Sequence, residues 1–147
     1  MRAVVTRVKH ASVTIEGKLN GQIGPGYLVL LGVGPNDTAG TAAKLAEKIC
    51  NLRIFEDENG KMNLNLEQVG GALLVVSQFT LYADTSSRRP GFSRAAKPDL
   101  AIPLYEEFMA CCRARGFTVE HGEFGAEMEV DSRNMGTVTI LFDTENP

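Results

Sequence analysis

The sequence has no tryptophan, two histidines and three cysteines among its 147 residues. The cysteines, at positions 50, 111 and 112, form an odd set without a CxxC spacing, which argues against a disulfide framework and a structural zinc site. HExxH, P-loop and GxGxxG motifs are also missing, so we expect neither a metal nor a cofactor. His10 and His121 are more readily explained as surface or hydrogen-bonded residues than as members of a catalytic triad.

Long apolar runs are missing as well. The longest nearly uncharged stretch, residues 21–36, is interrupted by Gly24-Pro25-Gly26 and is too short for the ~20 apolar residues that a membrane-spanning helix needs. Residues 1–10 contain no apolar run of signal-peptide length. We therefore expect a cytoplasmic protein without membrane contact.

The chain also lacks a strong excess of either charge. A net charge of -3 argues against a protein that grips nucleic acid over a broad surface, because such binding rests on many contacts from Lys and Arg to phosphate. Charge is nevertheless uneven, since residues 120–131 are acidic and residues 88–97 are basic. The basic segment is either a small patch for an RNA end or a solvated loop. Its cations are Arg88, Arg89, Arg94 and Lys97.

Apolar patterning predicts strands along most of the chain. Residues 12–16 alternate in polarity before a predicted hairpin turn at residues 16–18. Residues 27–33 are almost continuously apolar and predict a central strand covered on both faces. Residues 72–76 predict another strand, which runs directly into the polar pair Ser77-Gln78 and then a long loop. Because functional residues concentrate on loops at strand ends, we expect a site there.

Two helices interrupt the strands. Asp37 is a plausible N-cap for the first helix, and Pro98 opens the second. Asn59-Gly60 predicts a hairpin turn between them. Two further strands finish the chain, with residues 134–137 as their connection. Strands in runs with two separated helices indicate a single α+β domain over residues 1–147, in which a mostly antiparallel sheet curls toward a barrel.

Hydroxyl and amide groups dominate the predicted site. None of them is a strong base, but preorganised donors of this kind bind and polarise a carbonyl group, which suits an activated ester. Serine and threonine at a strand end also commonly bond to local backbone, and the residues alone leave that structural reading open. The candidate groups are Ser77, Gln78 and Thr80 at the strand end, and Asn134, Gly136 and Thr137 in the later segment.

The segment SQFTLYAD at residues 77–84 resembles the signature of D-aminoacyl-tRNA deacylases. The opening MRAVVTRVKHASVTIEG, the stretch LRIFEDENGKMNLNL and the later RRPGFSRAA and FGAEMEV are similar to the same family in order and spacing. The resemblance thus covers nearly the whole chain. It implies a homodimer with its sites at the subunit interface, which hydrolyses the ester joining a D-amino acid, or glycine, to the 3′ end of tRNA.

The resemblance also implies roles for single residues. Thr80 is a candidate nucleophile, and Ser77, Gln78 and Phe79 are pocket elements, with the Phe79 amide as a carbonyl or oxyanion donor. The 2′-hydroxyl of the substrate's terminal adenosine is implied to assist the reaction, so we favour positioning by the protein over covalent catalysis. Candidate tRNA contacts are Arg7, Arg88, Arg89 and Arg94.

The chain departs from this family at its second motif, Asn-x-Gly-Pro-Val-Thr, in which a cis Gly-Pro bond enters the neighbouring subunit's pocket and excludes L-amino acids. Here residues 134–137, the gate segment, read Asn134-Met135-Gly136-Thr137. A cis bond costs about 2.5 to 4 kcal/mol before threonine and about 0.5 to 1 kcal/mol before proline, so the sequence predicts a trans bond. A trans bond predicts a wider pocket, with weaker rejection of L-amino acids or a preference for small ones. Arg7 is expected near the gate segment.

Two other functions stay open. One is a tRNA- or nucleic-acid-binding homologue that kept the fold but lost catalysis or relaxed its chirality. The altered gate segment favours this reading and the intact residues 77–81 oppose it. The other is a small esterase that acts on free D-amino acid esters.

Overall fold

The computed structural model describes all residues from 1 to 147 and contains eight strands, two α-helices and a short 3₁₀ turn at Phe79–Tyr82. The strands are β1 (Arg2–Ile15), β2 (Lys18–Ile23), β3 (Gly26–Gly32), β4 (Phe55–Glu56), β5 (Met62–Leu64), β6 (Ala72–Ser77), β7 (Val119–His121) and β8 (Glu129–Asp143). The helices are α1 (Ala39–Cys50) and α2 (Pro98–Ala114).

The main sheet is built around β1. On one edge β1 pairs antiparallel with β8 along nearly its whole length, and on the other edge it pairs antiparallel with β3 and β2. β6 then joins β3 in parallel and β7 joins β6 in parallel. The side-chain amide of Asn20 on β2 donates to the His121 carbonyl on β7 at 2.7 Å, so the two ends of the sheet meet and the curl is nearly closed.

Two apolar clusters occupy the two faces of this sheet. The larger one lies between the sheet and both helices, where fully buried Tyr27 and Leu73 pack with Phe108 of α2. The smaller one lies inside the curl and includes Leu74 and Val76 of β6. Neighbouring residues of β6 thus serve opposite faces, as the two-residue period of a strand requires. The predicted α+β class, with two main helices and a curled sheet in a single domain, is confirmed, although two of the strand pairs are parallel.

The predicted N-cap of the first helix is wrong by one residue. Thr38 caps α1, because its hydroxyl accepts from the Thr41 amide at 3.3 Å and the Thr41 hydroxyl accepts from the Thr38 amide at 3.0 Å. Asp37 is instead buried beneath the N-terminus, where its carboxylate lies 2.8 Å from the Met1 amino group and accepts from the Gly34 amide at 2.7 Å. One distant partner, the Met1 amino group, and one local partner, the Gly34 amide, therefore hold Asp37 away from the helix end.

The two strands predicted at the end of the chain are one continuous strand, β8. The gate segment is an irregularity within it and not a connection between strands. Thr6 of β1 faces Thr139 and Val8 faces Asn134, so β8 follows a longer path than β1 between these pairs. The pairing with β1 on both sides of the irregularity keeps the strand in register and projects the gate segment away from the sheet. Neither helix has the length and apolar character that crossing a bilayer requires.

Candidate active site

The candidate site begins where β6 stops pairing. The Gln78 amide donates to the Leu31 carbonyl at 2.7 Å, and the chain then turns into the 3₁₀ segment. The Gln78 side-chain amide donates to the Thr80 hydroxyl oxygen at 2.5 Å. This places Ser77, Gln78 and Thr80 in one half-buried group at the strand end, as the sequence predicts, while the Phe79 side chain projects into solvent.

A cavity of about 880 Å³ opens beside this strand end. Its first wall is formed by Ser77, Gln78 and Phe79, and its floor includes Val76 from the small apolar cluster. Two distant segments complete the walls, residues 92–98 from the loop before α2 and residues 124–130 from the approach to β8. The predicted pocket elements therefore share one concave site of a size suited to a small organic group.

The rim of this cavity is aromatic. Phe79 is 52% exposed and Phe92 is 37% exposed, both large values for phenylalanine. Their ring centroids lie 5.2 Å apart with the planes at 76°, an edge-to-face pair. Val130, 39% exposed, lines the opposite wall. An apolar rim of this kind is suited to contact a planar base or a second apolar surface.

Neither a hydroxyl–histidine pair nor a reactive thiol is set up at this cavity. The partner of the Thr80 hydroxyl is an amide nitrogen, which donates and cannot accept a proton. His10 is an exposed residue of β1, and His121 lines a separate cavity beside α2. Cys112 is buried against Cys50 between the helices, and its hydrogen bond with Cys50 together with burial raises its pKa. Glu127 is the one carboxylate on the cavity wall, and no hydrogen bond joins it to Ser77 or Thr80.

The basic loop lies next to the cavity. Arg88 and Arg89 are exposed at the tip of the loop, and Lys97 lines the cavity itself. Arg94 is drawn toward Asp84, with the guanidinium 3.6 Å from the carboxylate. Hydrogen bonds from Ser86, followed by the charge of Arg94, hold the pKa of Asp84 below its usual range. These contacts close the base of the loop and leave Arg88 and Arg89 exposed at its tip.

The gate segment does not line the cavity of its own chain. Asn134, Gly136 and Thr137 are exposed and Met135 is half-buried. The Gly136-Thr137 peptide bond is cis, so the sequence-based prediction of a trans bond is wrong. The prediction of a wider pocket depended on a trans bond, so the structure does not support it.

Arg7 lies directly beneath the gate segment, as expected, but it is only 3% exposed. Its Nε donates to the Met135 carbonyl at 3.2 Å and its Nη1 donates to the Ile54 carbonyl at 2.7 Å. A Cβ atom on Gly136 would lie 2.6 Å from Arg7 Nη2, so glycine is required for this close approach. The guanidinium is thus committed to backbone carbonyls inside the chain, in contrast to the solvent-facing Arg88 and Arg89.

Sequence reasoning missed the second half of the site. Phe92 and Ser93 on one wall, and Glu127 with Met128 on another, have no role in the sequence-based prediction, and Lys97 is named there only as a cation of the basic segment. The sequence signal for Phe92, Ser93, Glu127 and Met128 is the resemblance of the stretches RRPGFSRAA and FGAEMEV, which marks them as family segments without giving them a contact.

Comparison with known proteins identifies the family of the chain. The family described as D-Tyr-tRNA(Tyr) deacylase matches residues 4–143. A D-aminoacyl-tRNA deacylase of Symbiobacterium thermophilum is 56% identical over 99% of this chain and 97% of the relative, and one of Thermus aquaticus is 57% identical over 98% and 95%.

Solved structures show the same fold. One titled "c-Myc DNA Unwinding Element Binding Protein" has a TM-score of 0.92 at 38% identity, covering 98% of this chain and 99% of its own. A probable eukaryotic D-amino acid tRNA deacylase has a TM-score of 0.83 at 18% identity over 96% and 97%, a likeness of fold alone. The chain belongs to the D-Tyr-tRNA(Tyr) deacylase family.

Proposed function

We propose that this enzyme hydrolyses the ester bond of D-aminoacyl-tRNA, and of glycyl-tRNA, releasing the free amino acid and the tRNA. The relatives named above carry this activity in their names. The observation that carries the proposal is the joint placement of Ser77, Gln78 and Phe79 on the wall of one cavity, where the neighbouring Thr80 hydroxyl is bonded to an amide donor and not to a base. An aminoacyl ester is already activated, so binding and polarisation of its carbonyl lower the barrier without a strong protein nucleophile.

The chemistry follows from the 3₁₀ turn. Phe79 is its first residue, and the N–H groups at the start of a helix have no acceptor within the helix. The Phe79 amide is therefore the proposed donor to the ester carbonyl oxygen. The 2′-hydroxyl of the terminal adenosine assists attack of water on the carbonyl carbon, and the 3′ oxygen leaves with a proton. Gln78 orients the Thr80 hydroxyl as a polar contact and not as an activated nucleophile.

Chiral selection takes place in a homodimer, in which each copy supplies the gate segment for the other copy's cavity. The gate segment is exposed and lies outside the cavity of its own chain, while the rim formed by Phe79, Phe92 and Val130 is unusually apolar for a surface. A second copy that inserts its gate segment at this rim covers the apolar side chains and places the backbone of Gly136 beside the amino acid. The basic loop, through Arg88, Arg89 and Lys97, then meets the acceptor end of tRNA in the cytoplasm, where translation supplies the substrate.

Replacing Thr80 by alanine tests the positioning mechanism. We expect Thr80→Ala to keep measurable deacylation with a loss of kcat of about 10-fold or less, because removing a true nucleophile costs about 10⁴- to 10⁶-fold. Single-turnover release of labelled D-amino acid from tRNA measures the rate. Thr85→Ala, an exposed threonine of the neighbouring loop, is the control.

Complete loss of activity in a folded, tRNA-binding Thr80→Ala variant, together with an acyl-enzyme trapped in the parent, contradicts positioning and favours covalent catalysis. Release of free amino acid from a short D-amino acid ester at the same rate as from charged tRNA would identify a general esterase instead.

A nucleic-acid-binding function is the second candidate. The specific observation in its favour is the structure at 38% identity whose title names a DNA unwinding element binding protein. Incubation with charged D-aminoacyl-tRNA discriminates the two, because a binding protein retards the tRNA without releasing the amino acid.

A further inference from the structure

Arg2, at the start of β1, contacts the 3₁₀ turn Phe79–Tyr82, which is called the catalytic turn below. Neither the segment at residues 77–84 nor the gate segment includes Arg2. Its Nη1 donates to the Leu81 carbonyl at 2.8 Å, and its guanidinium carbon lies 4.5 Å from the centre of the Tyr82 ring. On the other side its Nε donates to the Asp143 carboxylate at 3.3 Å, at the end of β8. The side chain is 35% exposed, so it covers the turn from the solvent side.

Tyr82 anchors the same turn from within. The ring is 4% exposed and fits against two glycines at the end of β3. A Cβ on Gly34 would lie 2.9 Å from the tyrosine oxygen, and a Cβ on Gly32 would lie 2.9 Å from the Gln78 carbonyl oxygen. The Tyr82 hydroxyl has no hydrogen-bond partner within the chain, so packing and not polar bonding holds the ring.

The turn is short, and this makes its external contacts decisive. Backbone bonds close both ends of the turn, from the Leu81 amide to the Gln78 carbonyl at 3.2 Å and from the Ala83 amide to the Thr80 carbonyl at 3.1 Å. Short 3₁₀ segments have poor internal hydrogen-bond geometry and take their orientation from surrounding contacts. Arg2 supplies one charge-assisted bond and one cation–π contact to the two residues that follow Phe79 and Thr80.

We propose that Arg2 is a positioning residue for deacylation: by holding the Leu81 carbonyl and the Tyr82 ring, it sets the orientation of the Phe79 amide at the cavity wall and of the Thr80 hydroxyl beside it. The inference rests on the proposed function, because it concerns the same catalytic turn. Arg2 itself does not line the cavity and does not touch the substrate.

The test replaces Arg2 by methionine, which keeps an unbranched apolar stem over the tyrosine ring and removes the donor. We expect kcat for D-aminoacyl-tRNA to fall about 10- to 100-fold, because misorienting a catalytic group by a fraction of an ångström to 1 Å has effects of this size. KM should stay within about 2-fold, since the aromatic rim and the basic loop are untouched. The amide NMR signals of Phe79 and Thr80 should shift while those of Leu73 and Val75 in the β6 core stay in place.

Arg113→Met is the matched control. Arg113 on α2 also donates to a single backbone carbonyl, that of Val119 at 2.9 Å, but it lies away from the catalytic turn. We expect its kcat to remain that of the parent. Both variants are assayed at a temperature where circular dichroism shows them fully folded, so that loss of folded protein does not count as loss of kcat.

Unchanged kcat in folded Arg2→Met, or equal losses in Arg2→Met and Arg113→Met, overturns the proposal. A parent protein that releases no amino acid overturns the proposed function instead. In that case the Phe79 and Thr80 amide signals still decide whether Arg2 orients the turn, and unmoved signals overturn the inference independently.

Discussion

The contact between Arg7 and the gate segment predicts that Arg7→Lys weakens chiral selection without abolishing hydrolysis. Lysine keeps the positive charge and most of the aliphatic stem, so the buried space stays filled. It ends in one ammonium group, however, whereas Arg7 reaches the Met135 and Ile54 carbonyls through two different nitrogens. The ammonium cannot occupy both positions, so the longer bond, to Met135, is the one that we expect to be lost.

The size of the effect follows from the lost bond. A hydrogen bond from a charged donor contributes about 1.5 to 3 kcal/mol, and the bond to Met135, at 3.2 Å, belongs at the lower end of that range. We therefore expect the free energy of unfolding to fall by about 1.5 to 2 kcal/mol. Because about 1.4 kcal/mol is a factor of ten in an equilibrium constant, displaced conformations of the gate segment become about 10- to 30-fold more populated.

The assay compares kcat/KM for matched D- and L-aminoacyl-tRNA substrates. In Arg7→Lys we expect kcat/KM for the L-substrate to rise by up to about 10- to 30-fold. For the D-substrate kcat/KM should stay within about 2-fold of the parent, because residues 77–80 are unaltered. Urea denaturation measures the stability change. Arg113→Lys, which alters an arginine bound to a carbonyl outside the gate, is the control.

Two results would refute this reasoning. If Arg7→Lys loses the expected stability but keeps the parental ratio of D- to L-hydrolysis, the Met135 bond supports the fold and has no part in selection. If stability is also unchanged, the ammonium bonds both carbonyls and the geometric argument against this is wrong.

Two further predictions concern the contact between β3 and β6 and the titration of Tyr105. Gly26→Ala should destabilise the protein by more than about 3 kcal/mol in urea denaturation, because its Cβ would lie 1.9 Å from the Ala72 carbonyl oxygen and force β3 from β6; a loss below about 1 kcal/mol would contradict this contact. Burial raises the pKa of Tyr105 from 10.0 to about 12, and its hydroxyl donates to the Val75 carbonyl at 2.8 Å. A raised pKa contributes stability that is complete below pH 10 and declines as the pH rises through 12. Stability should therefore fall over that window, less steeply in Tyr105→Phe, and an identical slope in the two proteins would show that Tyr105 does not titrate on unfolding.

Local features of the fold could be read from the sequence and non-local ones could not. The β6 strand and its polar end were predictable, because a run of apolar residues followed directly by Ser77-Gln78 needs no knowledge of distant partners. The predicted N-cap is wrong because Asp37 and Thr38 are both good caps, and the contacts of Asp37 with the distant Met1 amino group and the Gly34 amide decide between them. The parallel pairing of β6 with β7 involves three residues of β7 and gives no pattern that periodicity can detect.

The candidate site likewise has a local part that the sequence predicts and a non-local part that it does not. Ser77 to Thr80 are contiguous, so one motif was enough to place them together. The walls at residues 92–98 and 124–130 come from distant parts of the chain and are joined to the motif only by the tertiary fold. The gate segment was interpreted as a connection because its polar sequence interrupts an apolar pattern, whereas pairing with β1 on both sides makes it part of β8.

The site's two functional parts are held by the same strand. Arg2 fastens the catalytic turn and Arg7 fastens the gate segment, and both lie on β1. Five positions apart, they fall on opposite faces of a strand whose side chains alternate, and at about 3.3 Å per residue they are separated by roughly 16 Å. One face of β1 thus supports the turn proposed to bind the ester, and the other supports the gate segment proposed to enter the partner's cavity. A disturbance of β1 is therefore expected to affect hydrolysis and selection together, although neither arginine meets the substrate.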